Sequence, residues 1–131
     1  MIRAALILLL AAAPVAAQEQ ITADAFLDRV AGRTATFVIM GTDNLVGVEQ
    51  FLRRDRTVWA RSDGTCAYGT VTVDGPLVCF SYDDELTGRQ HCWFPFERDG
   101  TLLVLDDAGD EVQEISAITD TPVSCDPPPV S

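Results

Sequence analysis

The chain has 131 residues and a net charge of −11, from 20 Asp and Glu against 9 basic residues, all of them arginine. This length allows one domain. The acidic balance argues against a nucleic-acid surface, which needs a basic stripe, and it favours cationic partners. The densest basic cluster, Arg53-Arg54-Asp55-Arg56, reads as a solvated turn.

The first segment is an address. Met1–Ala17 carries one positive charge (Arg3), an apolar run from Ala4 to Ala13, a break at Pro14, and small side chains before Gln18. That is the layout of a secretory signal peptide cleaved after Ala17. The apolar run is shorter than the roughly 20 residues a membrane-spanning helix needs. The expectation is an exported chain, periplasmic or secreted, with no membrane insertion after cleavage. The domain plan is residues 1–17 as leader, 18–120 as a β-rich domain, and 121–131 as a Pro-rich tail.

A helix is expected over Ala23–Ala31. Thr22 is a natural N-cap, Asp24 sits in the first turn, Phe26, Leu27 and Val30 make an apolar stripe, and Gly32 stops the helix. After Gly32 the pattern changes to short β-branched and aromatic runs. Strands are expected over Thr34–Met40, Val46–Arg53, Thr57–Arg61, Thr65–Val73, Leu77–Tyr82, His91–Phe96, Thr101–Leu105 and Val112–Ile118. In the second of these, Val46, Val48 and Leu52 fall on one face and Glu49 and Arg53 on the other. Pro95 cannot donate to a ladder, so it belongs at an edge or a bulge.

Turn residues separate the runs, including Asp-Gly pairs at 63–64, 74–75 and 99–100. Asp-Gly between apolar runs is a strong hairpin signal. The fold class is therefore mainly β: an antiparallel meander of about eight short strands, closed as a small barrel or strongly curled, with one short N-terminal helix. The tail, with Pro122, Pro127, Pro128 and Pro129, is expected to be extended and mobile.

Cys66, Cys79, Cys92 and Cys125 in an exported chain imply two disulfides. A two-residue turn at Asp74-Gly75 pairs Val73 with Pro76 and leaves Cys66 four residues, about 13 Å, away from Cys79. A disulfide needs Cα atoms within about 7 Å. A hairpin centred on Glu85-Leu86 instead puts Cys79 opposite Cys92. The expected bridges are Cys79–Cys92 and Cys66–Cys125, the second tying the tail to the body. The spacings contain no C-x-x-C, and one histidine is poor company for zinc.

No catalytic constellation emerges. His91 is the only histidine; its neighbour Cys92 points to the opposite strand face, so His91 reads as a strand-surface or interface residue. Asp83-Asp84-Glu85 and Asp106–Glu111 read as solvated hairpin tips rather than calcium loops. Neither a cofactor nor a metal is called for. The aromatic residues are more suggestive. Trp59, Tyr68, Tyr82 and Trp93, with His91 among them, crowd the central strands. They are core, or, if one face stays open, a binding surface.

Gly47-Val-Glu49-Gln50-Phe51, Val58-Trp59, Cys66-Ala-Tyr-Gly69, Val78-Cys79-Phe80-Ser-Tyr82 and Gln90-His-Cys92-Trp93 together resemble small exported, disulfide-containing β-rich proteins of Gram-negative bacteria, a group without an assigned function. Val71 departs from that pattern, where tryptophan is common. The resemblance spans Ala23–Leu105. It implies the order of elements and a periplasmic address, and carries over no catalytic residue. A class-level likeness to periplasmic lysozyme inhibitors implies an acidic inhibitor of a cationic hydrolase. The expected function is a non-enzymatic exported domain that binds a protein or small ligand, with a hydrolase inhibitor and an envelope structural protein as the alternatives.

Overall fold

A computed structural model describes residues 18–125. The proposed leader and the prolines at 127–129 lie outside them. The described chain forms β1 (Glu19–Gln20), α1 (Ala23–Val30), β2 (Thr34–Ile39), β3 (Leu45–Arg53), β4 (Arg56–Arg61), β5 (Cys66–Asp74), β6 (Leu77–Tyr82), β7 (His91–Arg98), β8 (Thr101–Asp106) and β9 (Val112–Thr119). The strands β2 to β9 pair in sequence order, all antiparallel, and β9 returns to pair with β2. The sheet is therefore a closed eight-stranded up-and-down barrel, and β1 is an addition to it.

Closure removes every long edge, which an open sheet of this composition would expose. One seam is thin. β6 and β7 share three residue pairs, Val78↔Trp93, Cys79↔Cys92 and Phe80↔His91. Because β8 occupies the other edge of β7, β1 takes over where β6 stops, pairing Glu19 with Glu97 and Gln20 with Phe96. Pro95 falls between the two partners. It forms no bulge; its carbonyl accepts the Ile21 N–H at 3.2 Å, and its missing N–H faces the gap.

The turns follow backbone chemistry. Arg98 pairs with Thr101, so Asp99-Gly100 is a two-residue hairpin turn with φ of 49° and 80°, the geometry that Asp-Gly favours. The turn after β5 differs from the sequence reading. Asp74 pairs with Leu77, so the central residues are Gly75-Pro76 and not Asp74-Gly75. Pro76 cannot serve a ladder, and the turn absorbs it. Cys66 remains far from Cys79 in either register.

The two ends of the barrel differ. Loops 40–44, 62–65, 83–90 and 107–111 gather at one end; the tight turns 54–55, 75–76 and 99–100 gather at the other, where α1 plugs the opening. Thr22 caps α1, its hydroxyl accepting the Ala25 N–H at 3.0 Å. Phe26, Leu27 and Val30 are fully buried, and the Phe26 ring meets Phe51 edge to face with centroids 6.3 Å apart. Arg54 bridges Asp28 at 2.7 Å and Asp24 at 2.9 Å. The basic cluster is thus a clasp on the helix rather than a purely solvated turn.

Two disulfides, Cys79–Cys92 and Cys66–Cys125, join the described cysteines in the expected pairs. Residues 121–125 are docked, contrary to the expectation of a mobile tail up to that point. They run back over the outer surface, where the Val123 N–H donates to Gln50 Oε1 at 3.1 Å and Cys125 is buried. No helix among the described residues is long and apolar enough to cross a membrane.

Candidate functional site

Side chains alternate in and out along every barrel strand. Glu49 of β3, Trp59 and Arg61 of β4, Val78, Phe80 and Tyr82 of β6, His91 and Trp93 of β7, Val104 of β8 and Gln113 of β9 point inward. They enclose a cavity of about 170 Å³, floored by Phe26 and walled by Phe37, Trp59, Phe80, Tyr82 and Trp93. An eight-stranded barrel is just wide enough either to fill itself with side chains or to hold one small ligand. Here the filling is incomplete.

The walls are held in place from behind. Phe37 and Trp59 meet edge to face at 6.0 Å, and Phe80 stacks on Tyr82 at 6.3 Å. Gly47 allows the Trp59 position. A Cβ on Gly47 would overlap the indole ring and lie 2.9 Å from the Ala60 carbonyl oxygen, closer than packed atoms tolerate.

The polar groups fall at two depths. Deep in the wall is Glu49, 2% exposed. The Tyr82 hydroxyl donates to its Oε2 at 3.0 Å. Burial pushes the Glu49 carboxyl up to about 8, with the nearby Thr57 hydroxyl and the Tyr82 phenol pulling it down. Neither Glu49 Oε1 nor Thr57 Oγ1 makes a hydrogen bond of sound geometry. Burial, together with the Glu49 carboxyl beside it, raises Tyr82 well above the ordinary tyrosine range, so the phenol remains a donor.

Near the loop end the cavity meets solvent through Arg61, Glu85 and His91, all half-buried. Arg61 Nη2 pairs with Asp84 Oδ2 at 2.8 Å, and His91 Nε2 meets Glu85 Oε1 at 2.7 Å. The His91 ring also lies 5.9 Å from Tyr82. Asp83, the third acid of this loop, pairs with Arg56 at 2.7 Å. Asp83 and Asp84 are solvent-exposed, as a hairpin tip should be, yet each of the three carboxylates also holds a barrel residue; beyond them Leu86 is 98% exposed. Among the described residues, no three metal-ligating side chains converge.

Four of the five residues singled out in the sequence, Trp59, Tyr82, His91 and Trp93, line this one cavity. His91 lies inside the barrel wall and not on its surface, because it shares the inward face of β7 with Trp93. Tyr68 does not join them. It is on the outer face of β5, with the Arg56 guanidinium 5.5 Å above its ring. Glu49 is the functional residue that sequence reasoning does not single out. The alternation sets Val46, Val48 and Leu52 on one face of β3 and Glu49 on the other, and it is the Glu49 face, shared with Phe51, that is buried. A signal was present in Phe51, two residues on, which shares the Glu49 face and is apolar.

Compared with protein-family models, with curated proteins and with solved structures, the chain matches none.

Proposed function

We propose that the protein is an exported, non-enzymatic binding domain that takes a small ligand into the barrel interior. One observation carries this reading: a cavity of about 170 Å³ inside a closed barrel, lined mainly by aromatic rings and reached from one end. Binding pockets are characteristically apolar with a few placed polar groups. An eight-stranded barrel can fill its interior with side chains, and leaving it open forgoes packing energy. The periplasmic or secreted address rests on the leader-like N-terminus and is supported by two disulfides, which form and persist in oxidising compartments.

The test uses a size-matched apolar probe. Benzene enters dry protein cavities of roughly 150 Å³, and both tryptophans of the chain, Trp59 and Trp93, line this one. Benzene should change their emission saturably and raise the melting temperature. Val104→Phe, which fills the cavity from β8, should remove both effects and leave a cooperative melt. Benzene without effect on the unsubstituted protein, up to its solubility limit, would dismiss the reading.

A further inference from the structure

The cavity contains a group that packing alone does not explain. Glu49 is almost wholly buried, faces the cavity, and has one carboxyl oxygen, Oε1, without a hydrogen-bond donor. A buried acid lacking a full set of partners is unfavourable, and an apolar side chain at this position would serve the barrel better. Its other oxygen accepts from Tyr82, so in the empty protein the acid proton sits on Oε1, beside the Thr57 hydroxyl, which also lacks a partner of sound geometry. Once the carboxyl ionises, Oε1 is an acceptor that calls for a charged donor from the cavity.

The surroundings select the sign of that donor. Trp59, Tyr82 and Trp93 present rings to the space, and ring faces attract cations, tryptophan most strongly. The charged or titratable groups that share the wall with Glu49 are Arg61 from β4, Tyr82 from β6, Glu85 from loop 83–90 and His91 from β7. α1, β2, β8 and β9 contribute only uncharged side chains. The Arg61 charge is met by Asp84, and Glu85 adds a second acid at the entrance. An anion entering this space would meet two carboxyls; a cation would meet a counter-ion and a set of rings. The net charge of −11 favours the approach of cations as well.

We propose that the cavity takes a small organic monocation, an ammonium group on a compact apolar body of about the size of benzene, with Glu49 as its counter-ion and the rings of Trp59, Tyr82 and Trp93 as its walls. This rests on the ligand-binding reading above. Glu49 carries a proton at neutral pH in the empty protein, because burial holds its carboxyl at about 8. The cation displaces that proton, which leaves to solvent, and the pair formed is carboxylate and ammonium. Binding is therefore coupled to the release of one proton. Apparent affinity rises about tenfold per pH unit from 6 towards 8 and flattens above.

Three probes with a common body make the test: benzylammonium, toluene and benzoate, titrated against the disulfide-bonded protein with tryptophan emission as readout. Benzylammonium should bind at least tenfold tighter than toluene at pH 8, and benzoate should bind weakest. Calorimetry at pH 7 in buffers of different ionisation enthalpy should give close to one proton released. Glu49→Gln should abolish the preference for benzylammonium over toluene and remove the pH slope. His91→Gln should keep the slope. Toluene binding as well as benzylammonium, or a slope that disappears with His91, would overturn the counter-ion assignment and leave the cavity reading standing. If no probe binds, both fall.

Discussion

At the scale of the single residue, Glu49 ties stability to pH. Its carboxyl titrates near 8 in the folded protein against an ordinary value of 4.5. The folded state therefore holds the proton more tightly than the unfolded chain does. The stabilising contribution is fully present below about 4.5 and is lost as pH rises through 8, so between these values unfolding becomes easier by on the order of 1 kcal/mol per pH unit. The other shifted carboxylates, Asp55 and Asp63, are lowered by hydrogen bonds to Arg53 and to Thr65. They act only in acid, below this window. Glu49→Gln removes the burden: urea midpoints of variant and parent should be similar near pH 5, and the variant should lead by a few kcal/mol at pH 8. Parallel curves from pH 5 to 8 would show that Glu49 does not carry the buried proton. The same residue marks the limit of reading the sequence. Alternation along β3 is plain, but which face is inside depends on what covers the outside. The outer face of β3 is crossed by the C-terminal strap, where the Val123 N–H bonds Gln50, a contact between residues 73 positions apart that no local pattern contains.

At the scale of elements, local chemistry is legible where it is decided locally. The N-cap at Thr22, the Asp99-Gly100 turn and the spacing that sets Cys79 opposite Cys92 all depend on neighbours within a hairpin or one helical turn. β1 leaves no trace in the sequence because two residues carry no period; its place is set by the gap that β6 leaves along β7. The docked tail escapes local reading for a similar reason. Proline and polar residues describe an unanchored segment well, but Cys125 is anchored, and the bridge to Cys66 closes a loop of 59 residues. The bridge and one hydrogen bond, Val123 to Gln50, hold the strap against the barrel. Replacing both Cys66 and Cys125 by serine should release it. The Val123 amide should then exchange freely with solvent while the amides of β3 and β4 stay protected, and the stability loss should be about 2–4 kcal/mol. Continued protection of Val123 in the variant would mean that side-chain packing, rather than the bridge, seats the strap.

At the scale of the whole molecule, the barrel is a cup, closed at one end by α1 and reached at the other through the Arg61, Glu85 and His91 groups. A cup of this kind gives up core. The interior carries a cavity and an acid where a filled barrel would carry aliphatic side chains, and the surface adds the self-repulsion of an excess of negative charge. Domains of this size have a net stability of about 5–15 kcal/mol, so the margin left to the apolar core is small. The disulfides restore it from outside: Cys79 and Cys92 lie on the outer face behind Val78 and Trp93, stapling the three-pair seam between β6 and β7. A bridge closing a loop of roughly 15 residues contributes about 3 kcal/mol, and one closing a longer loop somewhat more. Loss of both would remove roughly 6 kcal/mol or more, a large part of the total. The chain from Gln18 onward, made in a reducing cytosol, should therefore show a much lower urea midpoint than the oxidised protein. It should also lose the near-ultraviolet circular dichroism of Trp59 and Trp93 well below physiological temperature limits for the oxidised form, and regain both on oxidation. Equal midpoints for the two redox states would place the stability of the barrel in its strands alone and remove the support that the disulfides give to the proposed exported address.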